Sequence, residues 1–216
     1  MTPLELIRSR KIVAIVRGLS PQYLVRLGHA LEEGGIGLME VTYDQRNPET
    51  WQDTASGIEA LTKEFGDRLI AGAGTVIRPE QVTMTYNAGG RYLVTPTTQP
   101  EIIRTGKALG LGIFPGAMTP SEILTAFEAG ADAVKVFPAS VLGPGYIKAV
   151  RAPLSHIPLM AVGGVNEKNA ADFMKAGCVG LGVGGNLVNK EWIQNGEWDK
   201  ITALAGEYRK AVADDE

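Results

Sequence analysis

The chain has 216 residues, of which 44% are hydrophobic, so one domain can bury a sizeable core without disulfide or metal staples. Its 21 basic and 24 acidic residues leave a net charge of −3 and form no basic run, which argues against nucleic acid and anionic membrane surfaces as partners. The single cysteine, Cys178, excludes an internal disulfide and a multi-cysteine zinc site, and it fits a reducing, cytoplasmic setting. The first residues lack the apolar centre of a signal segment, and no apolar run approaches the ~20 residues that span a bilayer.

Along the chain, short β-branched runs alternate with stretches of helical spacing. The runs lie at 12–17, 37–42, 69–73, 92–95, 112–115, 133–137, 159–162 and 179–183. Helices are predicted at 21–33, 79–87, 119–129, 166–175 and 197–213, several with proline near the start and Ala-Gly or Gly-Gly at the end. The acidic end, Asp214, Asp215 and Glu216, is expected to be a frayed tail after a short lead-in and one domain. Eight strand-then-helix units predict an α/β fold, a single compact (β/α)8 TIM barrel. The alternative is an open doubly wound sheet, but its Gly-x-Gly-x-x-Gly signature does not follow the first run, which reads Arg17-Gly18-Leu19-Ser20-Pro21.

Barrel enzymes work at the C-terminal ends of their strands. Lys135 stands between Val134 and Val136 in an apolar strand. If it points inward, desolvation favours its neutral amine, which can attack a ketone and form a Schiff base. The same pattern also fits a lysine whose stem packs while its head reaches water. Glu40, between Met39 and Val41, is either a general base or half of a structural ion pair. Gly163-Gly164 and Gly184-Gly185 follow the last two strands, where barrels bind phosphate through backbone N–H groups, although tight turns use glycine too. Arg17 and Thr75 are candidates for holding a carboxylate; the alternatives are a surface arginine and a helix cap. His29, in a predicted helix, and His156, in a loop, are not placed as metal ligands, so no metal or cofactor is expected.

The segments Glu40-Val41-Thr42, Gly72-Ala73-Gly74-Thr75-Val76, Pro115-Gly116, Lys135-Val136-Phe137-Pro138-Ala139, Gly163-Gly164-Val165 and Gly184-Gly185 occur in that order. Together they resemble the class I aldolases for 2-keto-3-deoxy-6-phosphogluconate and 4-hydroxy-2-oxoglutarate. The likeness runs from about residue 12 to 188. It implies a metal-free barrel, a homotrimer, a small-molecule keto acid or sugar-phosphate substrate, and cleavage to pyruvate and glyceraldehyde 3-phosphate. It assigns the Schiff base to Lys135 and proton transfer to Glu40, puts the substrate carboxylate near Thr75 and an arginine, and puts the phosphate near Gly163, Gly164, Gly184 and Gly185. Pro96 and Phe137 match positions lining the site. Many members carry an arginine four residues after the glutamate; here that residue is Asp44, with Arg46 two further on, and Arg17 resembles the substitute. Asn186 stands where many members have serine and is expected to donate to phosphate. The stretch 141–147 is similar to the relatives acting on the 6-phosphogalactonate epimer. The rival readings are a sugar-phosphate isomerase or synthase, and a binding barrel without catalysis.

Overall fold

A computed structural model describes residues 1–213; the expected acidic tail lies outside them. The strands are β1 (Ile12–Val16), β2 (Leu38–Thr42), β3 (Ile70–Gly74), β4 (Tyr92–Val94), β5 (Gly112–Phe114), β6 (Gly116–Ala117), β7 (Val134–Val136), β8 (Leu159–Val162) and β9 (Gly180–Val183). They pair in parallel in the order β5-β4-β3-β2-β1-β9-β8-β7-β6. The strand predicted at 112–115 extends further, to Ala117, and is interrupted at Pro115, which has no N–H to give to a ladder. Its first half pairs with β4 and its second with β7. The Pro115 carbonyl still accepts from the Lys135 N–H at 2.8 Å. β5 and β6 are therefore two halves of one stave, and the sheet curls into a barrel of eight staves.

The helices are α1 (Pro3–Arg10), α2 (Leu24–Glu33), α3 (Trp51–Phe65), α4 (Pro79–Asn87), α5 (Pro100–Ala108), α6 (Pro120–Glu128), α7 (Ala139–Arg151), α8 (Ala170–Lys175), α9 (Lys190–Gln194) and α10 (Trp198–Ala211). The predicted start of α6 is a capping box: Thr119 Oγ1 accepts from the Glu122 N–H, and Glu122 accepts from the Thr119 N–H at 2.8 Å. The helix expected at 21–33 opens as a 3-10 turn, Pro21–Tyr23. The one expected at 166–175 is α-helical only from Ala170, because Asn166 Oδ1 accepts from the Lys168 and Asn169 N–H groups, and Asn169 Oδ1 from the Asn166 N–H, which holds a turn. α7 is broken where Gly143 adopts φ +75° ahead of Pro144.

Two apolar layers result. One lies between the barrel and its helices and gathers residues such as Leu27, Ile58, Ile103, Ile123 and Ile147. The other fills the barrel itself with Val13, Leu38, Ile70, Tyr92, Phe114 and Met160, and is closed below by Leu6 and Ile7 of α1. The sequence predicts only a lead-in there, yet Thr2 and Glu5 form a capping box around Pro3 that starts the helix. Ile7 is fully buried, and a Cβ at Gly180 would lie 2.6 Å from it. Ile7→Ala is expected to lower stability by about 2–4 kcal/mol, read as a lower urea midpoint at unchanged slope. An unmoved midpoint would show that α1 does not plug the barrel.

Candidate active site

The strands bring the singled-out residues to one end of the barrel. Lys135 is central in β7, and Glu40 is central in β2; both point into the ring, 7% and 2% exposed. Beyond Ile70, the inward positions of β3 are Gly72 and Gly74, and their bareness makes the room. A Cβ at Gly74 would lie 1.7 Å from Glu40 Oε1. Burial pushes the Glu40 carboxyl up to about 7, against the attraction of Lys135 and then Arg17. Burial likewise lowers the Lys135 ammonium, while the Glu40 charge works to raise it and Arg17 to lower it further. Each group thus stands closer to its neutral form than it would in water. The Phe137 ring sits 4.9 Å from Lys135 Nζ and is 40% exposed, so it lies between the amine and the opening.

Arg17, just past β1, donates from Nη2 to Thr75 Oγ1 at 3.3 Å. Thr75 follows β3 with φ +55°, a left-handed conformation that is costly for a β-branched residue. Its carbonyl accepts from Gln45 Nε2 at 2.6 Å, and Gln45 in turn accepts from Gln81 Nε2 at 3.1 Å. Gln81 is fully buried and also receives the Ile77 and Arg78 N–H groups. Gln45 and Gln81 escaped the sequence reading. The signal was available: Gln81 is a polar residue in the first turn of α4, on the side that faces the barrel.

A cavity of ≈ 680 Å³ is lined by Arg17, Thr42, Arg46 and Thr75, and a second of ≈ 420 Å³ by Arg17, Gly184, Gly185 and Lys190. Arg17 borders both. Asp44 is turned to structure: it accepts from the Arg46 N–H and from Asn47 Nδ2. Gly163 and Gly164 have φ +93° and +74°, whereas Gly184 and Gly185 have open space where side chains would be. Asn186 does not stand free for an anion as expected. Its Nδ2 donates to Glu167 at 2.9 Å and to Tyr208 at 2.8 Å, so the polar groups left on this loop are those of the glycine backbone. Pro96 is half-buried, beside Gly116. Cys178 is buried, and that burial pushes its thiol up to about 12. Among the described residues no cluster of three or more His, Cys, Asp or Glu could hold a metal. No helix there is long and apolar enough to cross a membrane.

A parallel barrel with a buried amine and a buried carboxyl facing one another below its mouth defines the class of barrel enzymes that act on carbonyl carbon. The family profile described as KDPG and KHG aldolase matches residues 4–204, and the chain belongs to that aldolase family. It is 37% identical to the 2-dehydro-3-deoxy-6-phosphogalactonate aldolase of Escherichia coli, over 93% of this chain and 96% of that one. It is 32% identical to the 2-dehydro-3-deoxy-phosphogluconate aldolase of Haemophilus influenzae, over 94% and 93%. Among solved structures, the KDPG aldolase of Legionella pneumophila with pyruvate captured as a covalent carbinolamine superposes with a TM-score of 0.85 at 26% identity, covering 95% of this chain and 97% of that one.

Gly74→Ala is expected to cut aldolase turnover by about 100-fold, because the new methyl displaces the Glu40 carboxylate by an ångström or more. The urea midpoint is expected to move little, since the displaced atoms are the end of a flexible side chain. Wild-type turnover in a folded Gly74→Ala protein would mean that the position of Glu40 is immaterial.

Proposed function

We propose that this chain is a Schiff-base aldolase that reversibly cleaves a 2-keto-3-deoxy-6-phospho sugar acid to pyruvate and glyceraldehyde 3-phosphate. The observation that carries the reading is the dry Lys135–Glu40 pair inside the barrel. Lys135 Nζ, as the neutral amine, attacks the C2 ketone; water leaves and a protonated imine forms. Glu40, as the carboxylate, takes the C4 hydroxyl proton. The C3–C4 bond breaks, its electron pair flows into the imine to give an enamine, and the aldehyde departs. Glu40 returns the proton to C3, and hydrolysis releases pyruvate and the lysine. A base titrating near neutrality suits both halves of this cycle.

The remaining assignments follow the same geometry. Arg17 and Thr75 hold the substrate carboxylate. Arg17 is preferred over Arg46 because it hydrogen-bonds Thr75 and its charge reaches both Glu40 and Lys135. Backbone N–H groups at Gly163, Gly164, Gly184 and Gly185 receive the phosphate, with Asn186 fixing the last loop through Glu167 and Tyr208. Pro96 and Phe137 line the keto-acid end. The phosphogalactonate epimer is the preferred substrate: the Escherichia coli relative bearing that name is more similar than the phosphogluconate relative, and segment 141–147 resembles the same subgroup. A homotrimer in the cytoplasm is the state in which this chain is proposed to work.

Incubation with pyruvate and borohydride is expected to fix a reduced imine on Lys135, located by peptide mass. Lys135→Ala should give no adduct and lose turnover by at least about 10⁴-fold. An unmodified wild-type chain would point instead to an isomerase or synthase that uses the same phosphate loops. Initial rates are expected to favour 2-keto-3-deoxy-6-phosphogalactonate over its phosphogluconate epimer; the reverse order would reassign the substrate while leaving the chemistry intact.

A further inference from the structure

Tyr92 is the one residue among those described whose buried side-chain polar atom has no hydrogen-bond partner. It is fully buried in the barrel interior, its ring 5.8 Å from Phe114. A buried hydroxyl without a partner costs about 1–3 kcal/mol relative to a satisfied one, so a packing role alone would be served better by phenylalanine. Where the hydroxyl lies follows from the sheet. β2 pairs Glu40 with Gly72, and β3 pairs Ala73 with Leu93, which sets Gly72 beside Tyr92. A Cβ at Gly72 would lie 2.5 Å from Tyr92 Cδ2 and Cε2, and a Cβ at Gly74 would strike the Glu40 carboxylate. The phenol and the carboxylate therefore occupy the two bare places on the inner face of one strand. Gly72 and Gly74 are about 6–7 Å apart along β3, a spacing that one water between the hydroxyl and the carboxylate can bridge.

We propose that Tyr92 is a positioning residue for the reaction: its hydroxyl donates through one bridging water to the Glu40 carboxylate, and holds it ionised and in place. Burial and then the Glu40 charge push the Tyr92 phenol well above its usual range, so it stays a neutral donor. Three ionisable groups face Glu40: Lys135 from β7, Arg17 from the end of β1, and Tyr92 from β4. The two cations help the substrate as well, whereas Tyr92 lies deeper and serves the carboxylate alone. A donor to a carboxylate favours its charged form, so the hydroxyl lowers the proton affinity of Glu40 that burial raises. The inference rests on the reading of Glu40 as the proton-transfer group.

The test compares pH profiles of kcat/KM for the wild type, Tyr92→Phe and Glu40→Gln on the phosphorylated substrate. Phenylalanine keeps the ring against Phe114 and Gly72, and no protein hydrogen bond is lost, so the urea midpoint should hold. In the wild type the rate falls on the acid side as Glu40 takes a proton. In Tyr92→Phe that limb is expected about 0.5–1 pH unit higher, with several-fold lower kcat at neutral pH and unchanged borohydride trapping of pyruvate. A Tyr92→Phe limb that overlays the wild type, including one with a uniform loss of kcat, would make Tyr92 a packing residue and overturn the proposal. The residual turnover of Glu40→Gln should lose the acid limb. If the limb persists there, the role given to Glu40 fails and the proposal for Tyr92 falls with it.

Discussion

Burying an ammonium in an apolar ring is unfavourable, and so is burying a carboxylate; the two become tolerable together because each lowers the cost of charging the other. The barrel of this aldolase is organised around that coupling. Lys135 and Glu40 come from β7 and β2, on different parts of the ring, so only closure of the sheet sets them face to face in the interior. Desolvation draws both towards neutrality, and their mutual attraction, with Arg17 at the rim, opposes it for Glu40. Burial leaves the lysine closer to a free amine, and the carboxyl closer to neutrality, than either would stand in water, which is the state the proposed imine chemistry needs. An open, wet cleft would leave a permanent ammonium and a permanent carboxylate, good for an ion pair and poor for imine chemistry.

Room for this pair is made by omission. Gly72, Gly74, Gly112 and Gly116 present bare backbone to the interior, and larger neighbours fill the space: Tyr92 over Gly72, the Glu40 carboxylate over Gly74, Pro3 of α1 against Gly112. Large and small residues alternate around the ring, as a narrow barrel requires if it is to be filled without voids. α1 closes the floor with Leu6 and Ile7, away from the mouth. At the mouth the structure spends rather than saves stability. Thr75 is held in a left-handed conformation by the Gln45–Gln81 chain and by Arg17, which points its hydroxyl and the guanidinium at the same small volume. Strain of this kind persists when several neighbours over-determine one residue, and it marks a place where position matters more than comfort.

Much of this architecture was legible in order along the chain. All eight strand positions, the proline and capping signals of α4 and α6, and the charged residues inside apolar strands could be read directly, because period-two and period-3.6 patterns are local. Pro115 could be seen in the fifth run, but its consequence, a stave handed from β4 to β7, depends on both neighbours. α1 is not among the predicted helices although Thr2, Pro3 and Glu5 spell a helix start, since a short amphipathic segment gains its reason to be helical from the barrel floor it covers. Asn186 shows the limit from the other side. As a residue type it suits an anion, yet Glu167 and Tyr208, distant in sequence, take its amide.

By itself the sequence determined the fold class, the strand order along the chain and the chemical types present: one lysine and one glutamate enclosed in apolar strands, and glycine pairs after the last two. These are statements about neighbours in the chain, and backbone periodicity is enough to make them. Tertiary structure alone decided which groups share a dielectric. That Glu40 meets Lys135, that Tyr92 shares the bare face of β3 with Glu40, and that Arg17 rather than Arg46 reaches Thr75 all depend on the register and curvature of a closed sheet. Desolvation and Coulomb attraction act over a few ångströms of space, whatever the number of residues between the partners.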